Sequence, residues 1–298
     1  MTFNTQQLLY LVEIERTRSI SQAAANLYMG QPNLSRVLRD AEATIGFQIF
    51  ERTRKGVRPT PMGEQFLQHA RNILREAEFM ERLGPNNAEH YRFRVCLPRS
   101  YRYVALTQQY LGKLLPEIQL DAVIRECHPR QALEMLSGGT VEIAVIRYSP
   151  EYEAYFEEQA RGRSLHLQRL SEDRYEVVLS QNHPLATRET ITRDALAEYP
   201  EILHRDRLYS ERKSVNGIYS SDRLSQIQLL RSLSIAYLWS EPLPGNLLHT
   251  AGLVQRPCMS DAPAYRNALL YNPQCAISTL ESNFLKWIVA NHTKMEGD

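Results

Sequence analysis

Apolar positions in the first forty-five residues recur at helical spacing. Leu8, Leu11 and Val12 follow Thr5 at i, i+3 and i+4, and Thr5 is a residue type that caps helix N-termini. Ser21 opens a second, short helix running from Gln22 to about Tyr28, with Ala24 and Leu27 turned inward. Met29-Gly30 makes the turn that follows. A third helix starts near Gln31 with Pro32 in its first turn, where a missing N–H costs nothing. Leu34, Leu38, Ala41 and Ile45 then share one face, and Asn33 and Arg36 point away from it. Phe47-Gln48-Ile49-Phe50 alternates as a short strand, and residues 52–58 form a loop built around Gly56.

A longer helix with the same spacing follows Pro61. Phe66, Ala70, Ile73, Ala77 and Met80 are spaced 4, 3, 4, 3 along one helix to about Leu83, a seam that asks for a second helix. Gly84-Pro85-Asn86-Asn87 ends it. Strands and helices then alternate: 93–97, 120–124 and 141–146 read as strands, 100–115 and 131–136 as helices. A second unit begins near Leu165, with strands at 175–179 and 201–204 and a helix opened by Thr192. This alternation predicts parallel sheets with helices on both faces, in two lobes around a cleft. The fold class is α plus α/β: residues 1–60 a winged helix-turn-helix, 61–88 a linker helix, 89–298 a two-lobed α/β domain with a ligand-binding cleft. Lobe I spans about 89–164 and 266–298, and lobe II about 165–265.

Composition narrows the function. With 35 basic and 34 acidic residues among 298, and 43% hydrophobic, the chain is an ordinary globular one. Charge is nonetheless uneven, since residues 1–60 carry eight basic against five acidic side chains and half of the basic ones fall in 52–58. A local positive edge suits duplex DNA as partner. No apolar run approaches the roughly 20 residues of a membrane span, and the opening residues Met1 to Gln7 lack the basic segment and apolar stretch expected of a secretory signal. A cytoplasmic protein is expected, without a membrane partner. Cys96, Cys127, Cys258 and Cys275 show no C-x-x-C spacing and read as buried free thiols; neither a metal site nor a cofactor is expected. Walker A, G-x-G-x-x-G, G-x-S-x-G and H-E-x-x-H patterns are absent, so no catalytic residues are assigned.

Two helices joined by a tight turn, the second with a polar outer face, followed by a basic hairpin, describe a winged helix-turn-helix. The runs Ser19 to Leu27, Gln31-Pro32-Asn33-Leu34-Ser35-Arg36, Ile49-Phe50-Glu51-Arg52 and Thr60-Pro61-Met62-Gly63 resemble the LysR-type transcriptional regulators in order and spacing. The resemblance extends to Leu136–Ala144, to His183-Pro184-Leu185-Ala186 and to the stretch from Ile191 to Pro200. It implies that Gln31, Pro32, Asn33, Ser35 and Arg36 meet DNA at a partly palindromic operator, with Ser21 among the expected contacts and Arg52, Arg54 and Lys55 of the basic loop against the phosphate backbone. It also implies that the linker helix pairs chains into a homodimer, with dimers associating into a homotetramer. RNA polymerase is a further partner expected of such a regulator, which would work in a bacterial nucleoid. Gly30 departs from the Ser usual there, Ala41 from a common Leu, and Ser232–Tyr237 from a Gly-x-Gly segment, so that side chains there would narrow the cleft or change what fits.

Ligands of open α/β sheets lie beyond strand C-termini. Ser100, Tyr101, Cys127, His128, Arg147, Leu203 and His204 occupy such positions and are the expected effector contacts. An arginine, a hydroxyl and a helix N-terminus together suit a small carboxylate. The competing reading, a solute-binding or carrier protein whose N-terminal helices only dimerise it, leaves the basic loop and the outward Gln31, Asn33 and Arg36 without a purpose.

Overall fold

The structure, a computed structural model, describes residues 3–53, 56–82, 90–115, 118–204, 216–259, 261–275 and 277–293. Its N-terminal module comprises α1 (Thr5–Thr17), α2 (Ile20–Asn26), α3 (Gln31–Ile45), β1 (Phe50–Thr53), β2 (Gly56–Pro59) and α4 (Pro61–Arg82). The caps lie earlier than expected. Asn4, with extended backbone, forms a capping box with Gln7, and Ser19 rather than Ser21 accepts from Gln22 N. Leu8, Leu11 and Ile14 face inward from α1, so the apolar stripe runs on to Ile14 and leaves Val12 at its margin. Leu11, Ile14, Ala23, Leu34, Ala41, Ile49 and Leu67 close one core.

The strand expected over 47–50 begins only at Phe50. Glu42 of α3 accepts from the backbone N–H of Ile49 (2.7 Å) and Phe50 (3.1 Å) and so holds the approach to the hairpin. β1 and β2 pair antiparallel, with Phe50 opposite Pro59 and Arg52 opposite Val57. Gly56 has φ +118°, and a Cβ there would lie 2.3 Å from the Arg18 carbonyl; that carbonyl accepts from Val57 N. The hairpin is thus tied to the end of α1 at a position only glycine occupies without strain.

The seam of α4 divides. Leu67 and Ala70 are buried against the winged module, and Phe66 meets Phe3 and Phe47 edge-on with ring centroids at 5.4 and 6.4 Å. Farther along, Ile73 is 44% and Met80 63% exposed. The first half of the stripe packs within the chain and the second half remains open. The breaker at Gly84–Asn87 lies outside the described residues.

The remaining chain builds two five-stranded sheets. Lobe I contains β3 (His90–Leu97), α5 (Tyr101–Leu114), β4 (Gln119–Glu126), α6 (Pro129–Ser137), β5 (Ile143–Tyr148), α7 (Glu153–Arg161), β6 (His166–Arg174), β12 (Ala264–Tyr271) and α11 (Thr279–Asn291), in sheet order β4-β3-β5-β12-β6. Lobe II contains β7 (Glu176–Ser180), α8 (Arg193–Leu196), β8 (Glu201–His204), β9 (Gly217–Ser220), α9 (Arg223–Ser232), β10 (Tyr237–Ser240), α10 (Gly245–Ala251) and β11 (Leu253–Arg256), in sheet order β11-β7-β10-β8-β9.

Both sheets are mixed rather than wholly parallel. β3, β4 and β5 run parallel, as do β8, β9 and β10, whereas β6, β7, β11 and β12 pair antiparallel with their neighbours. The antiparallel strands are those by which the chain crosses between lobes. β6 therefore belongs to lobe I, and the first crossing falls at Tyr175 rather than near residue 165. Tyr175 N donates to the Pro263 carbonyl of the returning crossing at 2.9 Å, and the Tyr175 and Tyr265 rings lie 4.3 Å apart. Each sheet is covered on both faces by apolar clusters, as the alternating pattern implied.

Candidate functional site

Two polar assemblies stand apart from the general surface. The first is the opening of α3. Its buried residues Leu34, Leu38 and Ala41 fix the helix on the core, which turns Gln31, Pro32, Asn33 and Arg36 outward, all exposed. Gln31 Nε2 donates to Ser35 Oγ at 3.0 Å. Gly30 precedes the helix without a side-chain cap; its carbonyl accepts from Asn33 N at 3.0 Å and Leu34 N at 3.2 Å, and Pro32 has no N–H to offer. Arg52 is exposed on β1, whereas Arg58 on β2 is paired with Glu51. Ser21 is exposed in the first turn of α2. Arg54 and Lys55 lie outside the described residues.

The spacing of α2 and α3 also brings forward a residue not singled out in the sequence. Tyr28, in the turn between them, is 98% exposed with φ +53°. A large aromatic held in left-handed backbone and offered to solvent beside a recognition helix is unusual for a folding role. The tight turn before Gly30 was the available signal.

The second assembly closes the gap between the lobes. Ser100 caps α5 and Arg147 stands near the end of β5, both on lobe I; Glu241 follows β10 on lobe II. The Glu241 carboxylate accepts from Ser100 Oγ at 2.7 Å, from Arg147 Nη2 at 2.6 Å and from the backbone N–H of Tyr101. Arg147 also donates to Ser100 Oγ (3.1 Å) and, through Nε, to Asn267 Oδ1 (2.8 Å), and its guanidinium lies 4.1 Å from the Tyr265 ring centroid. Glu241 is 1% exposed and the Arg147 side chain 8%. Burial alone would raise the Glu241 carboxyl above its ordinary range. The Arg147 charge and the bonds from Arg147 and Ser100 outweigh it and hold the group ionised, below that range. Arg147 is shifted up: burial, the largest single influence, opposes its charge, and Glu241 together with Tyr175 and Tyr265 more than offsets it.

Beside this cluster lies a cavity of about 230 Å³. Val178, Ile227, Leu230, Leu238, Leu247 and Leu253 line it from lobe II, with Val104 from lobe I. Ser100 and Tyr101 belong to both the cavity wall and the Glu241 cluster. Arg223 reaches across the gap, donating to the Arg99 carbonyl at 3.0 Å.

Several expected effector contacts are not brought together. Cys127 is disulfide-bonded to Cys96, correcting the reading of both as free thiols. Parallel pairing of β3 with β4 sets Cys96 opposite Arg125, so Cys127, two residues on, comes within reach. Both sulfurs are buried, 3.7 and 3.9 Å from Met135 Sδ, and neither lines the cavity. Cys258 and Cys275 stay as thiols. His128 caps α6, accepting from Arg130 N, and His204 bonds the Ser221 carbonyl at 2.6 Å, so both serve local structure. Leu203 is buried in β8 away from the cavity wall. The segment Ser232–Tyr237 does not narrow the cleft, because it enters β10 at the end remote from Glu241; Leu233 and Ile235 are exposed there. Glu241, Arg223 and the leucine wall were missed, although the strand-end rule applied to Tyr237–Ser240 points straight at Glu241.

Family models match on both sides of the linker: "Bacterial regulatory helix-turn-helix protein, lysR family" over residues 5–64, and "LysR substrate binding domain" over 93–291. The chain is 23% identical to the hydrogen peroxide-inducible genes activator of Pectobacterium carotovorum, covering 91% of this chain and 90% of that one. It is 23% identical to the DNA-binding transcriptional dual regulator OxyR of Escherichia coli, covering 99% and 96%. Among solved structures it is similar to ArgP from Mycobacterium tuberculosis, with TM-score 0.66 and 17% identity over 97% of each chain. Full-length OxyR from Pseudomonas aeruginosa gives TM-score 0.60 and 20% identity, over 97% and 94%. Regulators of this kind bind DNA and small-molecule effectors and oligomerise. The chain belongs to the LysR family: it is a DNA-binding transcription regulator, not an enzyme, with a winged helix-turn-helix joined by a helix to a two-lobed substrate-binding domain.

Proposed function

We propose that the regulator binds a partly palindromic operator as a dimer, with α3 of each protomer in the major groove. Gln31, Asn33 and Arg36 face base edges there, with Pro32, Ser35 and Ser21 close to the backbone and Arg52, Arg54 and Lys55 along the phosphates. The observation that carries this reading is the exposed row of Gln31, Asn33 and Arg36 set on a helix whose opposite face is buried. The open half of the α4 stripe, Ile73 and Met80, supports pairing with the same helix of a second copy. Dimers associate in turn into tetramers, and the complex acts on the bacterial nucleoid, with RNA polymerase as the machinery it influences. A small molecule in the interlobe cleft shifts the lobes and so the spacing of the winged modules, through its different affinity for the two arrangements. DNase footprinting of the full chain on sites selected from random duplexes tests this. Paired protections on one face of the helix, about one turn or a multiple of it apart, are expected; a single unpaired half-site refutes the dimer.

A second reading of the effector domain rests on the disulfide. The Cys96 and Cys127 thiols would be oxidised by hydrogen peroxide to the disulfide with release of two waters, and reduction would free the start of α6 from β3. Footprints recorded with peroxide or with dithiothreitol, for wild type and for Cys96→Ser, separate the two readings. A redox-dependent footprint that Cys96→Ser abolishes supports this second one, and identical footprints in all four conditions reject it.

A further inference from the structure

The anion position of the cleft is already filled by the chain itself. At the N-terminus of α5 the Tyr101 N–H, the Ser100 hydroxyl and the Arg147 guanidinium converge on one point, and the Glu241 carboxylate sits at that point. Every donor of this seat belongs to lobe I, and the acceptor arrives from lobe II. The acceptor is also held rigidly. Gln255 donates to the Glu241 carbonyl at 2.9 Å and accepts from Leu243 N at 2.8 Å, and Pro242 and Pro244 stiffen the loop on which Glu241 rides. Arg147 is fixed from behind by Asn267, which in turn donates to Ser171 Oγ at 2.9 Å. A carboxylate so placed is a ligand in cis, and it joins the lobes as a bound anion would.

The space left for an outside molecule has a different character. The adjoining cavity of about 230 Å³ is walled by leucine, isoleucine and valine side chains. Its charged members, Arg223 and Glu126, are of opposite sign. A cavity of roughly 150 Å³ lined by such residues holds benzene, so this one takes a somewhat larger ring or a short branched chain. An anion entering it would find the Ser100 and Tyr101 donors of its wall already taken by the Glu241 carboxylate.

We infer that Glu241 occupies the carboxylate seat of the cleft as a built-in interlobe latch, and that the molecule accepted beside it is a small, uncharged, largely apolar compound. The inference rests on the cleft being the ligand site of the regulator, as proposed above. It changes the class of ligand from the carboxylate expected of Ser100 and Arg147 to a neutral one.

Benzyl alcohol and benzoate make a matched pair of probes, alike in shape and different in charge. Titrated calorimetrically into the full chain, benzyl alcohol is expected to bind wild type at least tenfold more tightly than benzoate does. In Glu241→Ala the seat is vacated, so the preference reverses, and acetate alone raises the melting temperature of the variant while leaving wild type unmoved. Glu241→Gln fills the seat without the charge and is expected to show no response to acetate. If Glu241→Ala does not accumulate in folded form without additive, its refolded yield as a function of acetate reads the same quantity. Equal or tighter binding of benzoate to wild type, failure of both probes to bind it, or an acetate response in Glu241→Gln overturns the inference. An acetate-insensitive Glu241→Ala does so too. Footprints recorded in the same solutions report separately on regulation: benzyl alcohol that binds as expected without altering the footprint breaks the coupling between cleft and operator and leaves the latch standing.

Discussion

The opening of α3 and the Glu241 cluster both present arginine, but under opposite conditions. Arg36 stands in water on a helix whose own core is complete without it. Arg147 is buried between the lobes, where Glu241, Ser100 and Asn267 take up its donors. An exposed side chain adds little to stability and is free to serve recognition, whereas a buried ion is tolerated only while its partners remain. Removing each residue should therefore damage different properties: binding in the first case, the fold of the effector domain in the second.

The largest effect is expected for Arg147→Ala. It leaves the Glu241 carboxylate buried without its counter-ion, a change that typically costs about 3–5 kcal/mol. Urea unfolding should show a midpoint well below wild type, and the double variant Arg147→Met, Glu241→Gln should recover much of the loss by removing both charges together. If the single variant unfolds like wild type, the pair is not sealed from water as described. Next in size is loss of the Cys96–Cys127 cross-link. It closes a separation of 31 residues, and constraining a loop of that length is worth roughly 3–4 kcal/mol in the chain-entropy account. Cys96→Ala unfolding at correspondingly lower urea than oxidised wild type, with the difference vanishing under dithiothreitol, is the expected result.

How far each region is legible in the sequence follows from the same contrast. The winged module is read almost whole because its contacts are local: the 4, 3, 4 spacing of Leu34, Leu38, Ala41 and Ile45 orients α3 and thereby exposes Asn33 and Arg36. The caps slip, since Asn4 and Ser19 lie close to equally plausible residues, and the first strand starts at Phe50 rather than Phe47 because Glu42 holds the approach to it. The effector domain is read as elements but not as pairings. The return of residues 266–298 to lobe I is expected, but nothing in spacing says that β6 stays in that sheet and pairs with β12, because strand order is decided by crossings that lie nearly a hundred residues apart. The disulfide is hidden for the same reason, as it depends on the register of β3 on β4. Glu241 and Arg147, separated by 94 residues, meet only once both lobes are built.

Of intermediate size is Arg36→Ala. If the residue reads a base, affinity for the selected operator should fall by about 1–3 kcal/mol. Stability should change by less than about 0.5 kcal/mol, the usual range for an exposed position. A drop in melting temperature matching that of Arg147→Ala would erase the contrast between the two arginines. Unchanged operator affinity would move recognition to other residues of the face, Tyr28 among them.

The smallest effect concerns a histidine that belongs to neither assembly. His183 is 3% exposed in the turn after β7, where Nδ1 accepts from Leu185 N at 3.0 Å and Nε2 lies 3.2 Å from the Ile235 carbonyl. That pattern requires the neutral ring with its proton on Nε2. Burial, the larger influence, lowers the ring's pKa below the ordinary 6.5, and the bond to Ile235 opposes it only in part. As pH falls through that ordinary value the unfolded chain takes up a proton that the native ring refuses, so stability declines; above it both states are neutral and the group contributes no slope. One such proton limits the slope to about 1.4 kcal/mol per pH unit. His183→Asn keeps an acceptor for Leu185 N but cannot titrate. Its melting temperature should therefore fall less between about pH 7.5 and about pH 5.5 (roughly one unit either side of the ordinary value) than that of wild type. Parallel curves for the two proteins would mean that His183 protonates in place, with Leu185 N released from the ring.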